Sequence, residues 1–100
     1  SKERYFHKWV GLNSRLDGFQ GAVLRVKLPH LDEWSDKRKA NAERYGELLS
    51  AAGLSGEITL PYERPNVRHI YNQYVVRVPA GRDELRAFLA EKGIGTDIYY

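Results

Sequence analysis

Residues 11–17 read GLNSRLD, and residues 19–28 read FQGAVLRVKL. Ser14 and Asp17 have the spacing of a capping box, in which the serine oxygen accepts a hydrogen bond from a free backbone N–H and the acid returns one. Apolar residues then recur at helical spacing, at Phe19, Val23 and Val26. The two stretches together predict that a long helix begins here.

The start of this helix is also a candidate anion site. Its first N–H groups lack partners within the helix and lie at the positive end of the helix dipole. Asn13 and Arg15 add an amide and a planar guanidinium at the same end. A phosphate group suits this combination. The alternative is a plain helix start, since capping-box matches are common and Arg15 can simply be solvated.

The remaining pattern predicts three segments. Residues 1–16 form an extended arm and loop, and residues 17–52 form the long helix, kinked near Pro29, which removes one N–H and crowds the preceding turn. Short strands at 57–60, 69–78 and 94–100 alternate with a helix at 82–92. We therefore expect an α+β fold, in which residues 57–100 form a small, mainly antiparallel sheet covered by helices.

Composition narrows the classes of function. The 100 residues include no cysteine, no apolar run long enough to span a membrane and no signal-peptide pattern, so we expect a cytoplasmic protein without a membrane partner. Residues 1–30 carry six Lys or Arg against two acids, a net charge of +4. Such a region could face nucleic acid, a phosphorylated ligand or an acidic partner, but without a recognised nucleic-acid-binding motif we do not expect nucleic acid.

Motifs for independent catalysis are absent from the sequence. We find no Gly-rich phosphate loop, no metal-ligand cluster and no serine elbow. Paired acids such as Asp32 and Glu33 stand at helix starts, where interaction with the helix dipole explains them. We therefore predict no metal site.

Four blocks of sequence resemble the DegT/DnrJ/StrS sugar aminotransferases, which are pyridoxal-phosphate enzymes. The blocks read GLNSRLDGFQGAVLRVKLPHLDEW at 11–34, IYNQYVVR at 70–77, RDEL at 82–85 and GIGTDIYY at 93–100. Their order and spacing cover nearly the whole chain. The resemblance implies a single domain, 1–100, which is the small C-terminal domain of a fold-type I aminotransferase, truncated at both ends.

The resemblance also implies site residues near the first block. Family members are homodimers in which an asparagine of the G-x-N-x-R run contacts the cofactor phosphate of the opposite subunit. Asn13 matches that asparagine, and Arg15 matches the nearby arginine. The Schiff-base lysine belongs to an upstream block outside this chain, so the chain itself is expected to carry no catalytic residue and to be inactive alone.

A second group of implied site residues lies at the other end of the chain. Many family members have a His-Tyr-Pro run there, and the sequence has Tyr99 in place of the histidine, followed by Tyr100. Both are candidate substrate-binding residues, and Tyr100 is expected to contact the phosphates of a nucleotide sugar.

The function that the resemblance implies is transfer of an amino group, typically from glutamate, to a nucleotide-linked keto-sugar. Pyridoxal phosphate is the implied cofactor, and the full enzyme is expected to be a homodimer. The residues alone also allow another class of function: a non-catalytic interaction module whose basic, aromatic arm binds an acidic partner.

Overall fold

The computed structural model describes residues 10–12 and 15–99. These residues form three α-helices and one 3-10 turn: α1 at Gly18–Lys27, the turn at Leu28–His30, α2 at Leu31–Ala51 and α3 at Arg82–Glu91. The chain divides into two compact units, one ending at Leu31 and the other beginning at Asp32. The predictions for the arm at 1–9 and for Asn13, Ser14 and Tyr100 lie outside the described residues.

Helix α1 begins with a capping box that differs from the predicted one. Asp17 is the N-cap residue: its Oδ1 accepts from the Gln20 backbone N–H at 2.7 Å, and Gln20 Oε1 accepts from the Asp17 N–H at 3.3 Å. The predicted box, which placed Asp17 in the first turn behind Ser14, was therefore wrong about the role of Asp17. The carboxylate of Asp17 already lies at the positive end of the helix dipole of α1. The dipole is therefore not a reason to expect a phosphate at this position.

Pro29 lies in the 3-10 turn Leu28–His30, where the sequence predicts a kink or break. Proline lacks the N–H that an α-helical bond would need and crowds the carbonyl four residues earlier. A 3-10 turn accommodates the missing donor before α2 begins at Leu31.

The predicted sheet was wrong. The described residues contain a single isolated antiparallel bridge, in which Thr59 and Arg77 exchange two backbone hydrogen bonds of 2.9 Å each. The fold class of this part of the chain is therefore helical, with long irregular connections, rather than α+β. The alternating apolar residues at 69–78 are also poorly covered, and Ile70 and Val75 are close to half exposed, at 46% and 47%.

Local side-chain bonding explains why residues 69–78 do not form a strand. The backbone N–H of His69 donates to Glu63 Oε2, and that of Tyr71 donates to His69 Nδ1, each at 2.9 Å. Tyr71 has a φ of 49°, in the left-handed region, which a regular strand does not allow. These donors are therefore taken by side chains rather than by a neighbouring strand.

One face of α2 carries the packing of the second unit. Its buried or half-buried residues follow helical spacing: Ser35, Lys39, Ala42, Gly46 and Leu49. Ala42 is the buried hydrophobic residue among those described, at 7% exposure. The connection at 57–80 packs on this helix through a tilted ring contact of 5.0 Å between Tyr45 and Tyr74. Because most of these positions are small or polar, the unit has little apolar core.

Helix α3 forms where the sequence predicts it and ends at Glu91, one residue before the predicted end. Gly93 follows with a φ of 76°, and the N–H of Ile94 donates to the Leu89 carbonyl at 2.9 Å, so the glycine terminates the helix. Of the large apolar residues of α3, Leu89 is half-buried, whereas Leu85 and Phe88 are 40% and 54% exposed.

Candidate functional site

The first predicted site residue within the described part of the chain is Arg15. It precedes α1, is exposed, and makes no ion pair with another described residue. Two residues on, the Asp17 carboxylate is engaged in the helix cap. The guanidinium of Arg15 thus keeps its donors available for an anion. Asn13, predicted to act beside it, lies outside the described residues.

Exposed apolar side chains lie on helix α1 and just before it. Phe19 is 82% exposed, Val26 71% and Leu16 66%. An open groove of about 420 Å³ on the same helix is lined by Leu16, Phe19, Gln20, Val23 and Leu24. No residue of α1 is buried. Contiguous exposed apolar surface of this kind is typical of a face that packs against another domain or subunit.

The second predicted site lies at the end of the described chain. Tyr99 is 47% exposed and follows the segment after α3. Arg86 in α3 donates from Nε to Thr96 Oγ1 at 3.3 Å and from Nη2 to the Thr96 carbonyl at 3.4 Å. A groove of about 610 Å³ runs between the helix and this segment, lined among others by Arg86, Ala90, Gly93 and Thr96. Tyr100 lies outside the described residues.

The two predicted groups of site residues belong to different units. Arg15 is in the unit that ends at Leu31, and Tyr99 is in the unit that begins at Asp32. Within its own unit, each of these two residues has an exposed side chain with a polar group.

An aromatic cluster in the second unit was not predicted as a group. The rings of His69 and Tyr71 stack at 4.1 Å, and Tyr71 approaches Tyr74 at 6.2 Å. Burial raises the pKa of Tyr74, and negative charge on Tyr71 or Tyr45 would raise it further. The hydrogen bond from the His69 backbone lowers the pKa of Glu63, with a smaller contribution from Lys39 at 3.5 Å. These contacts fix the irregular connection on α2, and no ligand is needed to explain them.

Two negative findings apply to the described residues. Their His, Asp and Glu side chains form no group of three that could hold a metal ion. None of their helices combines the length and the hydropathy that crossing a membrane requires.

Sequence reasoning missed the contact between Arg86 and Thr96. The two residues are ten positions apart on either side of a helix end. No periodicity relates them, so the sequence contains no signal for the contact.

Comparison with known proteins assigns the chain to a family. The family model for the DegT/DnrJ/EryC1/StrS aminotransferases matches residues 1–100. The chain is 44% identical over its whole length to a dTDP-3-amino-3,4,6-trideoxy-alpha-D-glucose transaminase of Streptomyces venezuelae, of which it covers 25%. It is 36% identical, again over its whole length, to a UDP-N-acetyl-3-dehydro-alpha-D-glucosamine 3-aminotransferase of Acidithiobacillus ferrooxidans, of which it covers 26%.

One similar protein is named as a regulatory protein and not as a transaminase. The chain is 46% identical over 100 residues to a pleiotropic regulatory protein of Geobacillus stearothermophilus, of which it covers 26%. The chain thus spans about a quarter of the length of these curated relatives. The match of the family model over the entire sequence, together with the sugar transaminases among the relatives, identifies this chain as a member of the DegT/DnrJ/EryC1/StrS aminotransferase family.

Proposed function

We propose that the full-length protein is a pyridoxal-phosphate-dependent aminotransferase that moves an amino group, typically from glutamate, to a nucleotide-linked keto-sugar. The observation that carries the proposal is the match of all 100 residues to the aminotransferase family. Relatives named as transaminases of dTDP- and UDP-linked sugars support the substrate class. This chain would form the C-terminal portion of a homodimeric enzyme.

The donor chemistry of the chain fits a phosphorylated cofactor. The exposed Arg15 guanidinium, without an ion pair to another described residue, offers paired N–H donors of the kind that bind phosphate oxygens. Asn13 would donate its side-chain amide to the phosphate in the opposite subunit, as its match to the family motif implies. When bound, pyridoxal phosphate supplies an electron sink for the transfer of the amino group.

The chain's own residues would bind and orient, since the cofactor-linked lysine is expected elsewhere in the protein. Arg15 would hold negative charge near the cofactor phosphate. Tyr99 and Tyr100 would contact the nucleotide sugar, with Tyr100 directed at its phosphates. The exposed apolar face of α1 would be covered by another part of the enzyme. That packing would place Asn13 and Arg15 correctly relative to the other residues of the active site.

A transfer assay on the full-length protein tests this function. The purified protein is mixed with pyridoxal phosphate, glutamate and a panel of UDP- and dTDP-linked keto-sugars, and the products are identified by mass spectrometry. We expect a visible absorption band of bound cofactor, formation of 2-oxoglutarate and one amino sugar. The 100-residue chain alone should give none of these. A full-length protein that binds no pyridoxal phosphate would overturn the proposal.

The relative named as a pleiotropic regulatory protein favours a second candidate, a non-catalytic interaction module. The exposed apolar face of α1 is a surface on which such a module could bind a partner. The same assay separates the two, because an interaction module would neither retain the cofactor nor consume glutamate.

A further inference from the structure

The segment that follows α3 is tied to that helix by one arginine. Arg86 donates from Nε to the Thr96 hydroxyl and from Nη2 to the Thr96 carbonyl, at 3.3 and 3.4 Å. A guanidinium is planar, so two donors that reach two acceptors of one residue fix both its distance and its orientation. The contact therefore sets where the backbone of Thr96 lies.

Few other polar contacts hold this segment. The helix cap ends with the N–H of Ile94, which donates to the Leu89 carbonyl at 2.9 Å. Further along, the N–H of Ile98 donates at 2.8 Å to the carboxylate of its neighbour Asp97, a purely local bond. Within the described residues, the hydrogen bonds that join 95–99 to the rest of its unit are the two from Arg86.

The partial burial of Arg86 agrees with its contact to the segment after α3. The residue is half-buried, although its neighbour Leu85 is 40% exposed and Phe88 is 54% exposed. Arginine is normally among the most exposed residues, so its cover here reflects the side chain lying along the groove towards Thr96.

Tyr99 follows Thr96 by three residues. Three residues span at most roughly 10 Å, so a fixed Thr96 confines the position of the tyrosine. On the other side, Gly95 has no heavy atom within 4 Å of a Cβ built there, and as a glycine it restricts the backbone little. Without the arginine, no other hydrogen bond among the described residues would join 95–99 to the rest of its unit.

We propose that Arg86 is a positioning residue for the nucleotide-sugar end of the active site. It holds Thr96 and thereby places Tyr99 where it meets the substrate. The inference rests on the proposed function, in which Tyr99 binds the nucleotide sugar. Two long, solvent-accessible hydrogen bonds contribute little to overall stability, but a small displacement of a substrate-binding side chain has a large kinetic effect.

The test uses the full-length holoenzyme and four variants. Arg86→Ala removes both hydrogen bonds to Thr96. Arg86→Lys keeps the positive charge but lacks the planar guanidinium with its two donors. Thr96→Val removes only the hydroxyl acceptor. Arg82→Ala is the matched control, because Arg82 lies in the same helix and its Nε contacts only the adjacent Asp83, at 3.2 Å, among the described residues. For each protein, KM is measured for the UDP- or dTDP-linked keto-sugar that the wild type converts. The spectral change of the cofactor on addition of glutamate is followed separately.

We expect Arg86→Ala to raise KM for the keto-sugar roughly tenfold, Arg86→Lys to raise it severalfold and Thr96→Val about twofold, with Arg82→Ala unchanged. The glutamate step and the cofactor content should stay at the wild-type level in all four, which a general loss of structure would not allow. An Arg86→Ala enzyme with wild-type KM overturns the inference, as does one whose glutamate step declines in parallel. A wild-type protein that fails to react with glutamate overturns the proposed function instead.

Discussion

Arg68 donates from Nη2 to Asp36 Oδ1 at 2.7 Å, so that the irregular connection after residue 57 is joined to the first half of α2. The same guanidinium reaches Asp32 Oδ1 at 3.3 Å, one helical turn earlier. The side chains remain exposed, at 48% for Arg68 and 73% for Asp36. Surface ion pairs of this exposure contribute little to overall stability, so the two ion pairs of Arg68, which together form a clasp, are expected to act locally.

The clasp gives a first prediction. Arg68→Ala should make the backbone amides of His69 and Tyr71 exchange severalfold faster in the full-length protein, because the connection loses both ion pairs to α2. Arg64→Ala is the control, since Arg64 lies in the same connection and makes no ion pair with another described residue. Hydrogen–deuterium exchange with mass spectrometry measures the difference. Equal protection in the two variants would contradict the clasp.

A second prediction concerns the start of α1. Asp17→Ala should remove the N-cap and speed exchange of the first-turn amides of α1 roughly fivefold, the equivalent of about 1 kcal/mol. Asp17→Asn keeps an acceptor for the Gln20 N–H and should stay close to wild type. Protection that survives Asp17→Ala but is lost in Ser14→Ala would instead assign the cap to Ser14.

A third prediction contrasts two glycines. Gly53 follows α2 with a φ of 74°, which alanine adopts only with strain, so Gly53→Ala should lower stability by about 1 kcal/mol. Gly46 lies inside α2 and has no heavy atom within 4 Å of an added Cβ, so Gly46→Ala should raise stability by about 1 kcal/mol through helix propensity. Thermal unfolding of the two variants should therefore shift in opposite directions. A shift of the same sign in both would show that the end of α2 is misassigned.

The fourth prediction follows from the raised pKa of Tyr74, which is caused first by burial and then by the neighbouring tyrosines. Because the folded-state pKa lies above the unfolded value, the stabilisation is complete below pH 10.0 and is lost as the pH rises through the folded pKa. In a spectrophotometric alkaline titration, Tyr74→Phe should remove a late-ionising component. Tyr62→Phe, which alters a tyrosine that is 74% exposed, should leave that component in place. Loss of the late component in both variants, or in neither, would contradict the assignment.

The helical part of the fold could be predicted because its signals are local. The sequence pattern predicted a helix from residue 17, interrupted near Pro29, and a helix at 82–92, and the structure has helices in both places. The start of α1 was less well determined. Ser14 with Asp17 and Asp17 with Gln20 both satisfy capping-box spacing, and nothing in the sequence alone decides between the two overlapping boxes.

The predicted sheet failed because strand pairing is not a local property. Residues 69–78 have alternating apolar side chains, but a strand needs a partner over several residues. Among the described residues, the one backbone pairing is that of Thr59 with Arg77. The bond from Tyr71 to the His69 ring and the left-handed φ of Tyr71 depend on side-chain placement that periodicity does not report. The same limit applies to the candidate site, where Asn13 and Arg15 followed from a motif but the contact of Arg86 with Thr96 did not.

The fifth prediction tests whether this chain completes the cofactor site of a neighbouring subunit. In the full-length enzyme, Asn13→Ala should weaken retention of pyridoxal phosphate while leaving the fold intact, because a hydrogen bond to a charged phosphate contributes roughly 1.5 to 3 kcal/mol. Arg15→Lys should also impair retention, since an ammonium cannot reproduce a two-pronged guanidinium contact. Fluorescence titration with the cofactor measures both. Unchanged retention in both variants would remove these residues from the site.

The most direct measurement mixes two impaired enzymes, one with weakened cofactor retention through Asn13→Ala and the other lacking the cofactor-linked lysine. A mixed dimer would combine an intact Asn13 from one subunit with an intact lysine from the other at one of its two sites. We expect transaminase activity on mixing to rise above that of the two separate enzymes, in proportion to the mixed dimers counted by native mass spectrometry. Mixed dimers that form without any return of activity would contradict the assignment of Asn13 to the opposite subunit's cofactor.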